Sequence, residues 1–199
     1  MLAALERPAE AVTASERAWR LIAADPSAVD LAQVVPKVAL ALIDSDRPGE
    51  ALTILDRALA SVGDRLGLAP TSLFTVNAGW AALGCDQPAA ALARFAQSLD
   101  GVIGGGDLVV TGEMLAGAGA AMAGLDAPGA AEVLALADER LRAAGVVLSP
   151  WQQRVVERHR VALTTAGPLL ATLDFTRCAG LVRAAADQPA AEVNGRRGS

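Results

Sequence analysis

The sequence predicts an all-α fold, a stack of about four to five antiparallel helical hairpins repeating every ~40 residues. Three observations carry this. Alanine fills 45 of the 199 positions, against three Phe, three Trp and no Tyr. Alanine is the best helix former, whereas strands want β-branched and aromatic side chains. Prolines stand at 8, 48, 88, 128 and 168, one every 40 residues. The stretches between them carry apolar residues at i, i+3, i+4 and i+7, the spacing of a helix with one buried face.

The context travels with the prolines: Leu5-Glu6-Arg7-Pro8, Ser45-Asp46-Arg47-Pro48, Cys85-Asp86-Gln87-Pro88 and Leu125-Asp126-Ala127-Pro128. Three residues beyond each proline is an alanine, at 11, 51, 91, 131 and 171. Asp-x-Pro reads as a helix opening. Asp46, Asp86 or Asp126 would cap free N–H groups, and the proline would sit in the first turn, where its missing donor does no harm. After it, Ala51, Leu52, Leu55, Ala58, Leu59 and Val62 follow the helical period, and Ala91, Leu92, Phe95, Leu99 and Val102 follow it one unit later. Before it, Leu40, Leu42 and Ile43 close one helix, and Gly79, Trp80, Ala82 and Leu83 the next. Each unit is therefore helix A, a tight turn, helix B and a looser loop, the loops being Gly63 to Ala69, Gly101 to Gly106 and Gly145 to Leu148.

In order, the pattern predicts helices at 10–24, 30–44, 49–62, 71–84, 88–100, 108–124, 128–144, 150–166 and 168–185. Pro36 should kink the second or delay its start. Asp107 should cap the sixth. Ser149-Pro150-Trp151-Gln152 opens the eighth as a capping box with proline at the first position. One helical domain over 1–185 and a disordered tail over 186–199, rich in Gly, Arg and Asn, follow. Met1 to Glu6 makes only the end of a helix A, so the first hairpin should expose an apolar face. That face would belong to a longer chain or dock on a partner, a second copy included.

With these columns in place the chain resembles the tetratricopeptide (TPR) family. Its small helix A residue is matched by Ala39, Gly79 and Gly119. Its small–large–small trio on helix B is matched by Ala51-Leu55-Ala58, Ala91-Phe95-Ser98 and Ala171-Phe175-Cys178. Asp138 replaces a small residue in the fourth copy and His159 takes the small helix A position of the last. The resemblance implies a TPR-like α-solenoid. From Leu136 to Leu173, Ala-Asp-Glu-Arg-Leu-Arg, a Gly turn and Leu-Ser-Pro before a charged helix resemble the helical-repeat region of large bacterial LuxR-type and antibiotic-pathway regulators that carry a signal-transduction ATPase. This implies a cytoplasmic, non-catalytic interaction or sensory module, related to a transcriptional or signal-transduction regulator. No P-loop and no recognisable helix-turn-helix is present in the sequence.

The charge is −5, from 17 Lys+Arg and 22 Asp+Glu, which disfavours direct nucleic-acid binding. Arg154, Arg158 and Arg160 cluster, but Glu157 interrupts them and no aromatics interleave. The uncharged stretch Met114–Leu125 is shorter than the ~18 residues of a membrane span, and no signal peptide is visible. Two cysteines, Cys85 and Cys178, make neither a disulfide framework nor a zinc motif and fit a reducing compartment.

No enzyme, cofactor or metal site is expected. His159, the one histidine, has no second His or Cys near it in sequence and reads as an ordinary helix residue. Gly104-Gly105-Gly106-Asp107 lacks the Lys and Ser/Thr of a phosphate loop and reads as a connector. An enzyme using Cys85, Glu157 or His159 is the opposing reading, without support from spacing. Binding residues, if any, should lie on helix A faces. Asn77 aligns with Lys37, Gly117 and Glu157 in one column, and Trp80 stands beside it, either lining a groove or filling the core. Lys37, Asn77, Trp80, Arg154 and Glu157 are the candidates, for a protein or peptide partner or for a small-molecule effector in the concave groove.

Overall fold

A computed structural model of the chain describes residues 28–62, 68–160 and 174–188, together with positions 13, 17 and 20. The predicted helix 10–24 (apart from those three positions), Pro8 and Ala11, the segment 161–173 with Pro168 and Ala171, and the tail from 189 lie outside the described residues.

The described residues form eight helices and no strand: α1 (Ala28–Asp44), α2 (Pro48–Val62), α3 (Leu68–Gly84), α4 (Pro88–Gly105), α5 (Leu108–Gly124), α6 (Ala130–Ala144), α7 (Pro150–Arg160) and α8 (Phe175–Ala186). The all-α expectation holds. None of these helices is long and apolar enough to cross a membrane. They pair as α1–α2, α3–α4 and α5–α6, with α2 against α3 and α4 against α5. Among the first members, α1 also neighbours α3, and α3 neighbours α5. α7 packs on α5, α1 and α3, and α8 on α4, α6 and α5.

The three turns between paired helices share one hydrogen-bond pattern. Arg47 N–H donates to the Leu42 carbonyl and Asp46 N–H to that of Ile43; Gln87 and Asp86 donate to Ala82 and Leu83; Ala127 and Asp126 donate to Met122 and Ala123. That is the pattern that closes a helix C-terminus through a left-handed residue. The residue is Asp each time, with φ of 61°, 57° and 53° at Asp46, Asp86 and Asp126. The expectation that these aspartates cap the following helix is corrected here. They terminate the preceding one. The position before α4 is Gln87, whose side chain caps nothing. Aspartate tolerates the left-handed region better than most side chains, which suits it to the place.

Packing explains the small columns. A Cβ on Gly79 would lie 2.7 Å from the ring of Phe95, and one on Gly119 would lie 2.7 Å from Leu134. Paired helices approach closely there because helix A offers no side chain. Phe95 is fully buried and also fills the space a Cβ on Gly117 would take, so one ring joins α3, α4 and α5. Burying such a side chain stabilises by about 1.5–3 kcal/mol.

The fourth unit departs from the sequence pattern by one residue. Gly129 adopts φ 84° before α6, so that helix starts at Ala130 and not at Pro128. Ala130, Leu134 and Ala137 then take the buried positions, at 1%, 3% and 0% exposure. Ala131 and Asp138 stand only partly covered, and no acidic residue replaces a core alanine.

Two helix boundaries differ from expectation. α1 begins at Ala28, so Pro36 does not delay its start, and Pro36 is buried within the helix, as are Val35, Val38 and Ala39. One lost backbone hydrogen bond is outweighed by that packing. α4 continues to Gly105 where a loop from Gly101 was expected, because Gly101 and Val102 are still buried. Gly106 takes the left-handed turn (φ 65°), and Asp107 accepts from the N–H groups of Val109 and Val110, the cap read from sequence.

Candidate functional site

The helix that carries two of the five candidates, α7, is laid across the first members of the pairs. Its start is fixed by a capping box. Ser149 N–H donates to Gln152 Oε1 at 2.9 Å, and Gln152 N–H donates to Ser149 Oγ at 3.3 Å. The same hydroxyl donates to Asp44 Oδ1 at 2.8 Å, tying α7 to the end of α1. Trp151 Nε1–H reaches Asp46 Oδ1 at 3.4 Å, and its ring stands edge-on to Trp80 with centroids 6.4 Å apart. A Cβ on Gly84 would lie 2.7 Å from Trp151, and one on Gly124 would lie 3.1 Å from His159 Nδ1. Trp151 and His159 are eight residues apart, about 12 Å along a helix. Packed helices stand about 8–10 Å apart. The helix therefore bridges the ends of α3 and α5 in two turns. It buries Trp151, Gln152, Val155 and Val156 beneath a charged outer face.

The five candidates are not brought together. Lys37 is exposed on α1. Asn77 and Trp80 are buried in α3 at 2% and 0% exposure, and neither Asn77 Nδ2 nor Trp80 Nε1 has a hydrogen-bond partner. Trp80 sits between Phe95, at 5.9 Å, and Trp151, so the core alternative describes it. Gly117, in the same column, lies under Phe95. The column thus passes from solvent to core, and Glu157 is separated from it because α7 crosses the row of helices.

Arg154 and Glu157 do share a feature. They line an open cavity of about 710 Å³ between α6, the segment 145–149 and α7. Its floor is Leu141, Val146, Leu148 and Val156. Its rim adds Arg142, Arg160 and Asp138 to those two. Arg160 donates to both Asp138 oxygens, at 3.0 and 3.1 Å, while its buried Nε has no acceptor. Val147, at the mouth, is 77% exposed. Sequence reasoning missed Asp138, Arg142 and the apolar run Val146–Leu148. The signal was that run itself, three apolar residues placed between a glycine turn and a helix cap.

The ionisable groups are set by burial. Asp44 is held above the usual carboxylate range by burial, against the Ser149 hydrogen bond and the field of Arg154. Burial also raises Glu113, helped by the charges of Asp107 and Asp44. Burial, then Arg158, lowers His159, while Asp86 opposes them. Cys85 and Cys178 are free thiols, and burial pushes both up, away from the thiolate a nucleophile needs. Among the described residues no three His, Cys, Asp or Glu side chains group as a metal site would need. No protein-family model, curated protein or solved structure matches the chain.

Proposed function

We propose that the chain is a non-catalytic helical-repeat module, a TPR-like α-solenoid that binds a helical segment of a partner protein across the faces of its first-member helices. The observation that carries this reading is the seating of α7. An amphipathic helix from the chain itself already rests across α1, α3 and α5, anchored by Ser149 on Asp44 and by Trp151 over Gly84. A face shaped to take one helix in this way can take another of the same pattern. The three like turns at 40-residue spacing support the repeat architecture. Kinship with the repeat region of bacterial transcriptional or signal-transduction regulators rests on the sequence pattern from Leu136 to Leu173, and a cytoplasmic setting on the two free cysteines.

The test supplies the helix in trans. A labelled peptide of residues 146–160 should bind saturably to a Trp151→Ala chain, whose own α7 has lost its anchor, and weakly or not at all to the unaltered chain. Circular dichroism on the variant establishes that the other helices persist. A folded variant that ignores the peptide would make this face an internal seam and end the reading.

A further inference from the structure

The cavity between α6 and α7 is chemically two-sided. Its floor is aliphatic, from Leu141, Val146, Leu148 and Val156. Its rim bears three guanidinium groups against two carboxylates. Arg160 takes up Asp138, which leaves Arg142 and Arg154 opposite Glu157. Among the described residues none of these last three forms an ion pair, though the field of Arg154 reaches Asp44. The balance is one positive charge over an apolar floor. One further observation points to an occupant: Val147 holds a large apolar side chain in water at the mouth, at 77% exposure. The volume, about 710 Å³, falls within the ~300–1,000 Å³ of small-molecule sites.

We infer that this cavity binds a small amphipathic anion, an aliphatic chain ending in a single carboxylate. The chain lies on Leu141, Val146 and Val156 and is covered by Val147. The carboxylate meets Arg142 and Arg154, where a planar guanidinium offers two parallel donors. Glu157 at the rim disfavours a doubly charged headgroup.

Octanoate, 1-octanol and octylammonium are titrated into the full chain by calorimetry. Octanoate should bind saturably at one site, at least fivefold more tightly than 1-octanol, with octylammonium weakest. Arg142→Gln and Arg154→Gln, both on solvent-facing side chains, should each weaken octanoate at least fivefold and leave 1-octanol unchanged. Val147→Ser, which removes the apolar cover without adding charge, should weaken octanoate and 1-octanol alike. Circular dichroism serves as the check that each variant is folded. Absence of saturable octanoate binding, equal binding of octanoate and 1-octanol, or arginine variants that bind octanoate as the unaltered chain does would each overturn the assignment. The peptide experiment above turns on the Trp151→Ala chain and this one on chains with α7 seated, so either result stands without the other.

Discussion

The indole of Trp151 fills the space that a side chain on Gly84 would need. A Cβ there would stand 2.7 Å from Trp151 Cζ2 and 2.6 Å from Pro48 Cβ. Three elements, α2, α3 and α7, meet at this one glycine. Neither obstacle is the free end of a flexible chain, so neither yields cheaply. Gly84→Ala should therefore destabilise by about 1–3 kcal/mol through overpacking, although alanine is the better helix former. Gly104→Ala is the internal comparison. It lies in α4 with nothing within 4 Å of its Cβ, so it should stabilise by up to about 1 kcal/mol. Urea unfolding of the two variants measures both, and equal effects of one sign would refute the close approach.

Asp86 carries a positive φ of 57°. Glycine meets less steric resistance there, at the cost of a more flexible unfolded chain. Asp86→Gly should be neutral or stabilise by up to about 1 kcal/mol, whereas Asp86→Val should destabilise by about 1–3 kcal/mol because a β-branched residue fits this region poorly. Thermal unfolding at pH 8, where His159 is neutral, keeps the field of Asp86 on that imidazole out of the comparison. A valine variant as stable as the glycine one would exclude the left-handed conformation.

Glu113 sets a pH dependence of known sign. Its carboxyl is raised above the ordinary 4.5 in the folded chain. Between the two values the folded state holds a proton that the unfolded state has released, so stability falls as pH rises through that window. Glu113→Gln abolishes this loss. Its advantage over the unaltered chain should appear above pH 4.5, grow with pH, and level off beyond the folded pKa. His159 acts in the opposite sense. Its folded pKa is lowered below 6.5, so its contribution is complete above that value and declines as pH falls. Comparing Glu113→Gln with the parent at each pH cancels the histidine. A difference that is flat from pH 4 to 8 would show that the carboxyl is not perturbed.

The turns were legible in the sequence because their determinants are local. Proline fixes its own φ, and Asp two residues earlier sits at the residue that must turn left-handed. What the aspartate does was misread, since a cap before Pro48 and a terminator after Asp44 occupy the same few positions. The path of α7 was not legible. Ser149 and Trp151 find Asp44 and Asp46 across 105 residues, and no periodicity encodes a contact at that separation. The cavity follows from that path, so only Arg154 and Glu157, singled out for other reasons, fell on it. Asn77 and Trp80 share a helix face with the core, where composition alone does not separate a groove wall from packing.

The sharpest check on register lies at the start of α6. The alanine column of the sequence points to Ala131, yet Gly129 turns left-handed and advances the helix so that Ala130 is buried at 1% exposure and Leu134 meets Gly119. Ala130→Asp would bury an unpaired carboxylate between α5 and α6 and should destabilise by about 3–5 kcal/mol. Ala131→Asp stands half-covered in the first helical turn, where a negative charge interacts favourably with the helix dipole, and should change stability by less than about 1 kcal/mol. Ala91→Asp, in a helix that begins at its proline, should behave like Ala130→Asp because Ala91 is fully buried. Chemical denaturation of the three variants orders them. If Ala131→Asp were the costly one, α6 would follow the strict 40-residue spacing and the left-handed turn at Gly129 would not shift its register.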